Sequence, residues 1–66
     1  MSADAKVWKD DKGWHGVADF IDGQIDMTEY GLVDILEYIE SQVETHLNWE
    51  IFQFNNGLGL RGYRAR

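Results

Sequence analysis

Apolar residues recur with helical spacing in the middle of the chain and with strand spacing at both ends. Leu32, Leu36, Ile39, Val43 and Leu47 follow one another at steps of four, three, four and four, the stripe by which an amphipathic α-helix faces a core. The spacing predicts a helix over 26–47. Asp26 stands at its N-cap, Glu29 three residues on completes a capping box, and Ile25 and Tyr30 sit where a hydrophobic staple needs them. Gly31, within the expected first turns, lowers helix propensity by about 1 kcal/mol relative to Ala and suits a close approach from another element. The helix is expected to stop before Asn48, with His46 near its carboxyl end compensating the macrodipole.

Residues 5–10 and 14–22 read as two strands around an Asp10-Asp11-Lys12-Gly13 turn. Trp14, Ala18 and Phe20 share one parity and Val17 and Ile21 the other, so the pattern leaves the buried face open; Gly16 marks a bulge or a close backbone approach. Asp22-Gly23-Gln24 breaks the second strand. Residues 49–54 form an aromatic and β-branched strand. Asn55-Asn56-Gly57-Leu58 then signals a type I′ turn into a last strand over 58–64. That register pairs Phe54 with Gly59, Gln53 with Leu60, Phe52 with Arg61 and Ile51 with Gly62. One face shows Trp49, Ile51, Leu58 and Leu60; the other shows Phe52, Phe54 and Tyr63 with Glu50 and Arg61. The order β-β-α-β-β defines an α+β class: an antiparallel sheet of two hairpins with one amphipathic helix packed on a face, a single small domain over 1–66.

Composition narrows the function more than the fold. A chain of 66 residues with 44% hydrophobic positions can form one small core, its aromatics burying much area each. With no cysteine and no proline there is no disulfide framework, cysteine zinc site or polyproline ligand. The start, MSADAKVWKDD, lacks a signal-peptide run, and no eighteen consecutive residues are apolar, so a soluble, intracellular, cytoplasmic protein is expected.

Net charge is −6, and its distribution matters more than its sum. Between Lys12 and Arg61 there is no Lys or Arg, while Asp19, Asp22, Asp26, Glu29, Asp34, Glu37, Glu40, Glu44 and Glu50 are all acidic. At about 100° per residue, Glu37, Glu40 and Glu44 fall on one helical flank with Asp34 just beyond. Each like-charge i,i+3 or i,i+4 pair costs the helix roughly 0.2–0.5 kcal/mol. A solubilising surface is the simpler reading of an acidic face, but solubilising charge is usually interspersed with cations. The block repels nucleic acid and anionic membrane and attracts basic partners.

Other chemistry is thinly supported. Asp22-Gly23-Gln24-Ile25-Asp26-Met27-Thr28-Glu29 resembles the second half of an EF-hand loop, but the first and third ligand positions fall on Ala18 and Phe20, which offer no side-chain oxygen. His15 and His46 are the only imidazoles and have no ligand-spaced partner for zinc. No nucleophile context or phosphate loop accompanies them, so no catalytic residue, metal or cofactor is expected. Phe52, Phe54 and Tyr63 with nearby arginines resemble the stacking platforms of single-strand RNA readers. Core packing is the commoner role of such a stripe; if it is exposed, a protein-binding hot spot fits a net-acidic chain better.

A short, cysteine-free, proline-free α+β chain with clustered acids and no cationic relief resembles the small phage-encoded anti-CRISPR and DNA-mimic inhibitor proteins in size, charge and layout. The resemblance implies a stoichiometric inhibitor that occupies a Lys/Arg-lined nucleic-acid channel of a basic partner, such as a CRISPR-Cas complex. From the residues themselves, no enzymatic activity, no direct nucleic-acid binding and no membrane association is expected. Asp34, Glu37, Glu40 and Glu44 lead as contacts, with Asp22, Asp26 and Glu29 extending the band. The alternative is an interaction module that uses Phe52, Phe54 and Tyr63.

Overall fold

The computed structural model describes residues 3–19, 21–53 and 57–65, with Gln53 described by its backbone alone. The fold is α+β: a five-stranded antiparallel sheet carrying one helix. The elements are β1 (Ala5–Asp10), β2 (Gly13–Ala18), β3 (Ile25–Met27), α1 (Leu32–Val43), β4 (Leu47–Gln53) and β5 (Gly59–Arg64). Their order across the sheet is β3-β2-β1-β5-β4. Two hairpins are therefore joined through the central β1–β5 pair, and a short third strand extends the first hairpin into a meander.

The register settles the faces. Directly opposed residues point to the same side of a sheet, and Val7 pairs with both Gly16 and Leu60, Trp14 with Met27, and Trp49 with Gly62. These positions face α1. Ile35 and Ile39 of the helix and Val7 of β1 are the largest fully buried side chains, joined in the core by Ala5, Trp14, Leu47 and Leu60. Gly16 permits the contact: a Cβ there would lie 3.1 Å from Ile39 Cδ1 and 3.2 Å from the Lys6 carbonyl oxygen. The close approach expected at Gly16 is that of the helix.

The helix is shorter than its stripe promised. It begins at Leu32, with Gly31 as N-cap, and the Asp34 carboxylate accepts the Gly31 N–H at 3.0 Å. Asp26 is not the N-cap, and Glu29 and Tyr30 precede the helix, because 25–27 pair with β2 instead. The residue opposite Asp26 is His15, and a buried imidazole needs that carboxylate more than a helix end does. At the other end Glu44 adopts the left-handed conformation, φ 58° and ψ 35°, and its N–H closes onto the Glu40 carbonyl. Leu47 thus belongs to β4, and Ile35, outside the expected stripe, takes the central core position. His46 lies beyond the helix, fully exposed.

The β4–β5 register also differs from expectation. Ile51 pairs with Leu60 and Gln53 with Gly59, with an irregularity between Ile51 and Gln53 that leaves Phe52 as the extra residue. From Leu47 to Ile51 the pairing has slipped by two positions, which keeps those side chains on their expected faces, whereas a slip of one, as at Gln53 beyond the irregularity, inverts them. Phe54, Asn55 and Asn56, and with them the expected type I′ turn, lie outside the described residues, as does Phe20. No helix among the described residues is long and apolar enough to cross a membrane.

Candidate functional site: an acidic groove beside the helix

An open groove of about 770 Å³ runs between the β3 edge of the sheet and the first half of α1. Asp22 enters from the β2–β3 connection and Asp34 and Glu37 from α1, while Asp26 of β3 borders the groove with its carboxylate turned to His15 on the other face of the sheet. Ile21, Ile25 and Met27 supply its apolar lining, and the exposed Tyr30 and Tyr38 also line it. Asp34 and Glu37 share the groove because they are one helical turn apart. Asp22 joins them because β3 folds back along β2 and carries the preceding loop toward the helix. Among the described residues that line it there is no Lys or Arg.

Asp26 is held in place by a buried histidine. The His15 ring is only 6% exposed. Its Nδ1 lies 2.6 Å from Asp26 Oδ1 and its Nε2 lies 2.8 Å from Asp10 Oδ1. Gln24 Nε2 also donates to Asp26 Oδ1 at 2.7 Å, and the Lys12 N–H donates to Asp10 Oδ1 at 2.8 Å. Two carboxylates on opposite ring nitrogens favour the imidazolium, which alone donates from both. The bond to Asp26, then that to Asp10, raises the His15 pKa above the usual imidazole value against the opposing effect of burial. Gln24 and then His15 hold Asp26 below the usual carboxylate range, while His15 and then the Lys12 N–H do the same for Asp10. The sequence reading missed this triad: a strand of three residues carries too little periodicity to show that Asp26 faces His15.

The other acids divide. Glu37, Glu40 and Glu44 line a smaller depression near the helix carboxyl end. Glu40, expected to be solvent-facing, is mostly buried there. Its Oε2 accepts the Leu47 N–H at 2.7 Å and Trp49 Nε1–H at 3.3 Å, and Oε1 lies 3.9 Å from His46 Nδ1. Glu40 therefore ties the helix to the start of β4 instead of facing a partner. Glu44 is exposed at the left-handed cap, and Glu29 is exposed in the turn before α1. Asp22, Asp34 and Glu37 are brought together; Asp26 borders the groove but gives its carboxylate to His15, and Glu29, Glu40 and Glu44 are not part of that groove. Of the aromatic alternative, Phe52 and Tyr63 lie half-buried on the sheet face away from α1.

No family model matches the chain, and neither curated proteins nor solved structures yield a match to it.

Proposed function

We propose that this protein is a stoichiometric inhibitor that binds a basic partner through its acidic groove and occupies a surface that the partner uses for nucleic acid. The observation that carries this reading is the convergence of Asp22, Asp34 and Glu37, from the β2–β3 connection and from α1, on one groove whose described lining holds no cation. Asp34 and Glu37, one helical turn apart, have Cβ atoms about 5–6 Å from each other, a spacing comparable with that of a phosphate track. Tyr30 and Tyr38 offer ring faces to the Lys or Arg side chains of the partner. Action by occupancy requires no catalytic residue, metal or cofactor, and an acidic surface disfavours direct contact with nucleic acid or anionic membrane. The resemblance in size, charge and layout to anti-CRISPR proteins makes a nucleic-acid-guided defence complex of the CRISPR-Cas kind the leading partner. Its place of action is then the cytoplasm, the host's if the chain is phage-encoded.

The test is capture from the native host followed by competition. The partner is expected to be a basic nucleic-acid-binding protein that added nucleic acid releases. A captured partner that nucleic acid leaves in place contradicts the reading.

A further inference from the structure

The sheet face away from α1 has no second layer among the described residues, and it carries two cations, Lys6 and Arg61, among Trp8, Val17, Phe52 and Tyr63. Glu50 and the bonded group Asp10–His15–Asp26 share the face. Lys6 and Arg61 are directly opposite one another on β1 and β5, an arrangement that is destabilising unless an anion sits between the charges. Glu50 opposes Arg61 from β4, yet among the described residues neither cation forms an ion pair.

Arg61 is set as a layer. Gly59 has no side chain, and the Phe52 ring lies flat over it, so that a Cβ at 59 would meet Phe52 Cζ at 2.8 Å. The Arg61 guanidinium carbon lies 4.4 Å from the centroid of that ring. Its Nε is buried with no acceptor, so the hydrogen bonding of the guanidinium is incomplete in the isolated chain. Stacking fixes the plane of the guanidinium and leaves a rigid fork for a planar oxyanion. It also covers both faces of Phe52, one by Gly59 and one by Arg61, and Trp8 is partnered by His15 at 5.8 Å between ring centroids. A reader of single-stranded nucleic acid needs open ring faces for its bases. Phe52 has none to give.

We propose that this face is a second docking surface, for an acidic segment of a protein partner, in which Arg61 grips a carboxylate bidentately and Lys6 supplies the adjacent charge. Trp8, Val17 and Tyr63 form the apolar rim, a composition enriched in protein interfaces. The face shares none of these residues with the acidic groove, so it stands or falls independently of the function proposed above. It gives the interaction-module reading of Phe52 and Tyr63 a specific chemistry.

The probe is a capped peptide alternating leucine and glutamate, titrated into isotope-labelled protein and followed by amide shifts, with oligothymidylate in a parallel arm. Saturable shifts are expected at Lys6, Gly59, Arg61 and Tyr63 with the peptide and not with the oligonucleotide. Lys6→Gln, an exposed substitution that leaves the fold intact, and Arg61→Lys, which keeps the charge but loses the fork, should each weaken the peptide by roughly tenfold. Thermal melts confirm that both variants are folded. Absence of saturable shifts at these residues, unchanged affinity in Lys6→Gln, or tighter binding of the oligonucleotide overturns the proposal.

Discussion

His15 makes the molecule sensitive to pH in two directions, because it satisfies Asp10 and Asp26 only while protonated on both nitrogens. Its pKa is raised by folding, so its contribution is full below the unfolded value of roughly 6.5 and is lost as pH rises through the folded value. Asp10 and Asp26 are lowered by folding, so theirs is present above roughly pH 3.9 and is lost as pH falls through the folded values. Thermal melts across pH should therefore show highest stability between about pH 4 and 6.5 and a decline on the alkaline side. In His15→Gln that alkaline decline should be absent. Glu44 makes a second single-residue prediction. Its left-handed backbone and its negative charge at a helix carboxyl end both oppose stability, so Glu44→Gly should stabilise by about 0.5–1 kcal/mol, read from denaturant unfolding.

At the scale of elements, the helix is joined to the strand that follows it by one carboxylate. Glu40→Ala removes the acceptor for the Leu47 N–H and for Trp49 Nε1 and should cost about 1–3 kcal/mol in equilibrium unfolding. Replacing Glu37, Glu40 and Glu44 together would confuse that loss with any loss of binding. Sequence periodicity revealed the existence and type of α1 and of four strands, because each buries one face and repeats with its own period. The faces of β4 up to Ile51 and of its partners on β5 were legible too, since the pairing there slipped by an even number of positions. What was not legible depends on contacts distant in sequence. Asp26 reads as an N-cap until His15 appears opposite it, and Glu40 reads as surface until Leu47 and Trp49 return beneath it. Acids at Asp22 and Asp34 share a groove only because β3 turns back along β2.

At the scale of the molecule, one helix of 12 residues packs on β1 and β2 of a five-stranded sheet. It is about 18 Å long, and among the described residues nothing covers the opposite sheet face. The acidic groove thereby lies beside the helix at the β3 edge, while the Lys6–Arg61 platform lies on that opposite face over β1 and β5. At physiological salt, with a screening length of about 8 Å, each region presents its own charge to a partner. The central claim is that groove acids bind a basic surface, and it is tested most directly by calorimetric titration with an oligo-arginine peptide. Asp34→Asn with Glu37→Gln is the discriminating variant: the introduced asparagine retains an oxygen for the Gly31 N–H that Asp34 now caps, so the melting temperature should hold. Parental affinity should fall as salt rises from about 50 to 200 mM, and the double variant should bind at least roughly tenfold more weakly at the lower salt. Equal affinity of parent and variant, with no dependence on salt, would contradict the account.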